Sequence, residues 1–296
     1  MNKNTFYECI KYKIENITDK PLFYYHIPKS GGTTFCDVFR IVFQKSLRIL
    51  GTLFPNNDKG GITAFERFNN DKSKYLKTIN DSEFVVGHLP FAMQPYIRDR
   101  FSTITVLRKP EERAISHYLW CINRGYVNKD EDIEKLYINN KLPPNPICNQ
   151  FANNYNNYKN NNTDINLVID NIKQINYLCR LEDILDLAKL IISKYDKHNL
   201  IFQNRQINLK KESLSQDQIK IFKKYNSIDN EIYNTIISKK MFLKFNQINN
   251  EKNDSDYIYC SRNVLLANKN MCYVKNSLID QVKNNLISAG YRIHTH

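Results

Sequence analysis

Ten consecutive residues carry much of the chemistry available to this chain: His26-Ile27-Pro28-Lys29-Ser30-Gly31-Gly32-Thr33-Thr34-Phe35. Two adjacent glycines let a backbone approach a ligand closely and adopt positive φ. Lys29 adds a mobile positive charge, and Thr33 and Thr34 add hydroxyl donors. If the residues that follow are helical, their unpaired N–H groups and positive dipole end also face the loop. Every part suits a phosphate or a sulfate. A plain strand-to-helix turn explains a Gly-Gly pair on its own, but not the lysine and threonines around it.

The order is not that of the NTPase phosphate loop. That pattern, GxxxxGK[ST], sets its lysine after the second glycine, on the helix. Here Lys29 precedes Gly31 and Gly32, and no strand ending in Asp follows in the Walker-B manner.

A second cluster reads Arg108-Lys109-Pro110-Glu111-Glu112-Arg113-Ala114-Ile115-Ser116-His117-Tyr118. A guanidinium fork at Arg108 and a hydroxyl at Ser116 can hold a second phosphate. Arg113 either joins them or pairs with an acidic neighbour. Between the clusters stands Val85-Val86-Gly87-His88-Leu89-Pro90-Phe91. An imidazole with an ordinary pKa near ~6.5 suits a base at neutral pH. A lone histidine after a strand is more often structural; its place between two anion-binding clusters singles out His88. His117, beside Ser116, ranks below it. His26 ends a strand and packs beside the loop, and His198, His294 and His296 carry no motif.

These groups need elements to position them. Residues 21–27, PLFYYHI, are a dense apolar run bounded by turn residues and read as a buried strand. Phe35, Val38, Phe39, Val42 and Phe43 recur at helical spacing. Residues 83–88 and 103–108 read as further strands, the second followed by a helix with Pro110 in its first turn and Glu111 and Glu112 at its positive end. Residues 177–179 are a fourth strand, and 181–195 an amphipathic helix. Alternation of this kind predicts an α/β fold with a central, mostly parallel sheet flanked by helices. In such sheets ligands collect outside the carboxyl ends of strands, where both clusters fall. Residues 126–165, rich in Asn and Pro, read as a long surface excursion. Ser215 with Gln218 reads as a helix-capping pair. Residues 247–296 differ in pattern, so the chain divides into a domain over 1–246 and an appended C-terminal element.

The chain has 296 residues, 42% of them hydrophobic, which is enough for a sizeable core. Its formal charge is +13, which favours anionic partners and says nothing about fold. No apolar run approaches the ~20 residues of a membrane span, and no secretory signal is visible, so the expected location is cytoplasmic. Seven scattered cysteines without a CxxC pair fit free thiols. The clusters of Asn reflect composition and mark no glycosylation.

The residues PKSGGTTF (28–35) resemble the 5′-phosphosulfate loop of sulfotransferases that use 3′-phosphoadenosine-5′-phosphosulfate (PAPS). LRKPEERAISHY (107–118) resembles their 3′-phosphate motif, and VVGHLPF (85–91) their Gly-His segment. Weaker likeness runs through NYLCRLEDILDLAKLI and through the helix before the family's Asn…Asp…Tyr pattern, so that about residues 20–240 are covered. Within the family the chain is most similar to the carbohydrate type, that of heparan sulfate 2-O-sulfotransferase and bacterial relatives. It departs from the common pattern at Lys109, where the family often has Asp, and in lacking the membrane anchor of the eukaryotic members.

The resemblance implies a P-loop-NTPase-like three-layer fold and a PAPS-dependent transfer without a metal. It implies that Lys29, Ser30, Gly31, Gly32, Thr33 and Thr34 hold the 5′-phosphosulfate, that Arg108 and Ser116 hold the 3′-phosphate, and that His88 and Lys29 are catalytic. The acceptor it points to is a carbohydrate hydroxyl, on a sugar that can itself be anionic; nucleic acid is not an expected partner. Two other readings stay open on the residues alone: a kinase, and a non-catalytic module that binds anions or glycans.

Overall fold

The computed structural model describes residues 6–7, 20–32, 35, 39, 46–49, 72–152, 163–195, 199–203, 214–243, 257–261 and 264–265. Its central sheet is built from short runs of apolar and β-branched residues: β2 (Leu22–Tyr25), β3 (Ser46–Ile49), β4 (Phe84–Gly87), β5 (Ser102–Leu107) and β6 (Tyr177–Arg180). The order across the sheet is β3-β4-β2-β5-β6, with every pairing parallel. All residues of β2, β4 and β5 are buried, as expected of a parallel sheet covered on both faces.

Alternate side chains of the strands supply two separate cores. Phe23, Tyr25, Val85, Leu107 and Leu178 pack with α5 (Pro146–Phe151), α6 (Ile165–Lys173) and α9 (Ser227–Ser238). Leu22, Tyr24, Phe84, Val86, Ile104, Val106 and Cys179 pack with Phe35, Phe39 and α7 (Ile184–Tyr195). The sheet is thus the middle of three layers, which is the α/β architecture predicted from sequence. At about 1.5–3 kcal/mol per buried large apolar side chain, the two faces dominate the energetics of this region.

The sequence between α3 (Pro110–Asn123) and α6 is not a surface excursion over the part described. It forms α4 (Ile133–Ile138) and α5. Ile133, Leu136, Tyr137, Ile147, Cys148 and Phe151 are buried. Asp132 caps α4, accepting from the N–H groups of Glu134 and Lys135. These apolar residues are spaced one turn apart inside Asn- and Pro-rich text, so composition hid a helical period. The capping pair is as predicted: Ser215 and Gln218 form a capping box at the start of α8 (Gln216–Tyr225).

A second sheet has the order β1-β7-β8-β9, from Phe6–Tyr7, Asn199–Gln203, Tyr257–Ser261 and Val264–Leu265. Strand β8 comes from the C-terminal fifty residues and pairs in parallel with β7. Of the appended element, residues 266–296 lie outside the described residues.

Candidate active site

The chain leaves β2 for the outer strand β3, returns as β4 beside β2, then passes to β5 on the other side of β2. The carboxyl ends of β4, β2 and β5 are therefore neighbours, about 4.8 Å apart in the ladder direction. His88 follows β4, the Lys29 loop follows β2, and Arg108 follows β5. Three sequence-predicted groups are gathered at one end of one sheet by strand order alone.

The loop after β2 is tightly held. His26 N–H donates to Gly87 O at 3.0 Å, prolonging the ladder by one bond. Ser30 N–H returns to Ile27 O at 3.2 Å, and Phe35 N–H reaches Gly31 O at 3.3 Å as a helix begins. Tyr24 Oη donates to Ser30 O at 3.3 Å. Lys29 adopts φ of 69° and Gly31 φ of 76°. A Cβ on Gly31 would lie 2.6 Å from both Leu181 and Ile184, and one on Gly32 would sit on the imidazole of His26. Glycine is favoured at 31 by its positive φ, since the atoms near its Cβ are the movable methyl ends of Leu181 and Ile184, and at 32 by the imidazole of His26. Ser30 is fully buried, and its hydroxyl has no hydrogen-bond partner. Thr33 and Thr34 lie outside the described residues.

His88 is held in a defined tautomer. Its Nδ1 lies 2.8 Å from the carbonyl oxygen of His26. A carbonyl only accepts, so Nδ1 carries the hydrogen and the neutral ring has its lone pair at Nε2. The ring also stacks on His26, centroids 4.7 Å apart at 27°. A half-buried imidazole oriented by a backbone carbonyl is suited to taking a proton.

Cations crowd this end of the sheet. Burial holds the Lys29 pKa below that of an ordinary lysine; Cys121 opposes this, and Arg108 and Arg124 add to the fall to a smaller degree. Burial pushes His117 down to about 3, with Arg113, Lys29 and His88 adding to the fall. His117 Nδ1 has no hydrogen-bond partner. Arg108 meets Glu112 at 3.5 Å, which offsets part of the excess. Like charges held together in a partly dehydrated site are costly until an anion joins them, and this is the electrostatic signature of an anion-binding site. Ser116 is half-buried on the first turns of α3, the same helix that carries His117.

Arg113 lies on the first turn of α3. It is buried, and its Nη2 donates to Asn226 Oδ1 at 3.2 Å. Asp229, also buried, is close enough to raise the Arg113 pKa. Asp229 in turn accepts from the N–H groups of Ile147 and Cys148 at 2.9 and 2.8 Å, capping α5. Arg113 thus bonds to Asn226 close to Asp229, while its Nε and Nη1 have no hydrogen-bond partner.

Comparison with known proteins decides the family. The model of the sulfotransferase family matches residues 17–251, most of the chain. The chain belongs to the sulfotransferase family. No curated protein matches it. The matched span contains the Lys29 loop, His88, the Arg108 cluster and the Asn226–Asp229 pair, so this sulfotransferase carries every cluster singled out above inside the family region. A member of this family is a transferase that moves a sulfuryl group.

Sequence reasoning missed two neighbours of Lys29. Its Nζ stands over the ring of Trp120, 5.4 Å from the centroid, and Arg124 acts on its charge. The signal was present: residues 113, 117, 120 and 124 share one face of a helix by their spacing. It went unread because the motif stopped at Tyr118. Among the described residues no helix is long and apolar enough to cross a membrane.

Proposed function

We propose that the protein transfers the sulfuryl group of PAPS to a carbohydrate hydroxyl. The observation that carries this reading is the adjacency of Lys29, His88 and Arg108 at the carboxyl ends of three neighbouring parallel strands. One nucleotide bearing two anionic groups can span that distance.

The loop N–H groups, Lys29 and the threonines receive the 5′-phosphosulfate, and Arg108 with Ser116 receives the 3′-phosphate. The acceptor oxygen attacks sulfur on the side opposite the bridging oxygen. An acceptor O–S bond forms as the S–O bond to phosphate breaks. The acceptor proton passes to His88 Nε2, whose lone pair is set by the bond from Nδ1 to His26 O. Negative charge grows on the departing phosphate oxygen, where the Lys29 ammonium stabilises it. Burial and neighbouring cations already disfavour the unpaired charge of Lys29, so an incoming phosphosulfate relieves repulsion as it binds.

The test pairs two variants. His88→Ala should cut turnover by about 100-fold or more, the scale of a lost acid–base group, while leaving affinity for 3′,5′-adenosine bisphosphate nearly intact. Arg108→Ala should weaken that affinity by about 10-fold or more, as expected for a charge-assisted pair to phosphate. Calorimetry reads the second effect. Unchanged affinity would remove the 3′-phosphate assignment, and wild-type turnover in His88→Ala would remove the base.

A further inference from the structure

Trp120, the one tryptophan of the chain, has Lys29 Nζ over its ring and the His117 ring beside it at 5.8 Å. It also packs partly against the core formed by α3, α4 and α8, so its position is fixed. Tyr126 meets it edge-on, with centroids 5.4 Å apart at 60°. Tyr126 itself joins no core cluster and is 63% exposed.

The chain takes up this arrangement through a helix-ending turn. Arg124 N–H donates to Trp120 O at 3.1 Å, Gly125 N–H to Ile122 O at 2.9 Å, and Tyr126 N–H to Cys121 O at 2.9 Å. Gly125 has φ of 69°. These last two bonds, with a left-handed glycine between them, are a Schellman termination. It reverses the chain so that Tyr126 returns over Trp120 and Arg124 lies at the rim. The Trp120–Tyr126 pair is an aromatic surface partly open to solvent, with Tyr126 exposed and Trp120 half-buried. It adjoins the lysine assigned above to the transferred group.

We propose that Trp120 and Tyr126 form the surface on which the acceptor sugar ring lies. A pyranose has an apolar C–H face and a polar rim. The electron-rich ring faces attract the polarised C–H bonds, and the cations at Arg124 and Lys29 meet the rim oxygens. A sugar seated there presents a hydroxyl beside Lys29, next to His88. Specificity then resides in the turn after α3 as well as in the nucleotide loop. This inference rests on the PAPS-to-carbohydrate reading above.

The experiment uses the full chain with 3′,5′-adenosine bisphosphate and reads the fluorescence of Trp120. The probes are hexasaccharides of dextran, chondroitin and heparosan, with p-nitrophenol as an arene. At least one sugar should change the emission saturably. Tyr126→Leu should weaken that sugar by about 10-fold, the scale of one ring contact, and in turnover with PAPS should raise its KM alike while kcat stays within about 3-fold. Calorimetry, which needs no tryptophan, should show that Trp120→Phe retains most acceptor affinity and Trp120→Leu loses it, with affinity for the bisphosphate in Tyr126→Leu unchanged. Three results overturn the proposal: no sugar alters the emission, Tyr126→Leu binds the sugar as wild type does, or only p-nitrophenol depends on Tyr126. If the bisphosphate itself fails to bind, the nucleotide reading falls separately, and sugar binding that still depends on Tyr126 keeps the aromatic surface.

Discussion

Lys29 is a non-glycine residue with positive φ, a conformation that costs of order 1 kcal/mol and persists only where its surroundings enforce it. The bonds from Ser30 and Phe35 enforce it here, and strain is carried by the residue with most to do. His117 shows the same economy in its charge state. Burial and the cations around it hold its pKa at about 3, against about 6.5 for an ordinary histidine. As pH falls below the ordinary value, the unfolded chain takes up a proton that the folded chain refuses. Stability from this position is therefore present above about pH 6.5 and lost as pH falls towards 3. Glutamine does not titrate. The difference in unfolding free energy between wild type and His117→Gln should move by about 2 kcal/mol in the variant's favour from pH 7 to pH 4.5. Urea denaturation at the two pH values checks it, and a difference that does not change with pH would show that His117 is solvated and protonates freely.

At the scale of elements, Asp229 on α9 joins three helices. It caps α5 through two backbone N–H groups and acts on Arg113 of α3. Burial raises its pKa to about 6, partly countered by those N–H groups and by Arg113. Its folded pKa is raised, so its contribution is greatest below about pH 4 and declines as pH rises through 6, opposite in sign to that of His117. Asp229→Ala uncaps α5 and strips Arg113 of its counter-charge, and should cost about 3–5 kcal/mol in urea unfolding. Asp229→Asn keeps an acceptor for the cap and should cost less; equal losses would mean that the charge, which both variants lack, carries the whole effect. Strands β2, β4 and β5 of the central sheet were legible because each is a local apolar run closed by Pro-Lys-Ser, Gly-His or Arg-Lys-Pro, and β6 was read from its short apolar run alone, whereas β3 (Ser46–Ile49) went unread. The loop and Arg108 were legible because their chemistry is contiguous. What could not be read was pairing at a distance. Nothing near Arg113 announces Asn226 or Asp229, more than a hundred residues on. Strand β7 passed unnoticed because its partners, Phe6–Tyr7 and Tyr257–Cys260, are distant in sequence. Tyr126 was missed because its role is made by a left-handed glycine rather than by its own type.

At the scale of the molecule, the +13 charge is an argument about encounter with anions rather than about fold. Its reach depends on salt. The six residues of β5 span about 20 Å between the two ends of the sheet. That exceeds two Debye lengths at 0.15 M salt, about 8 Å each, but falls within one at 0.01 M, about 30 Å. Helices α1 (Lys72–Asn80) and α6 run into the amino ends of β4 and β6, which places Lys77 and Lys173 at the end of the sheet away from Lys29. Reversing both, Lys77→Glu with Lys173→Glu, removes charge there without touching the site. Association of 3′,5′-adenosine bisphosphate, followed by stopped-flow, should slow about 2- to 5-fold at 0.01 M salt and stay near wild type at 0.15 M. A variant of the local cluster, Arg124→Ala, should instead remain slower at both salts, because its distance from the ligand is short compared with either screening length. If the distant pair slowed association equally at the two salts, the effect would belong to altered packing, and the field of the whole molecule would have no part in drawing the donor to the sheet.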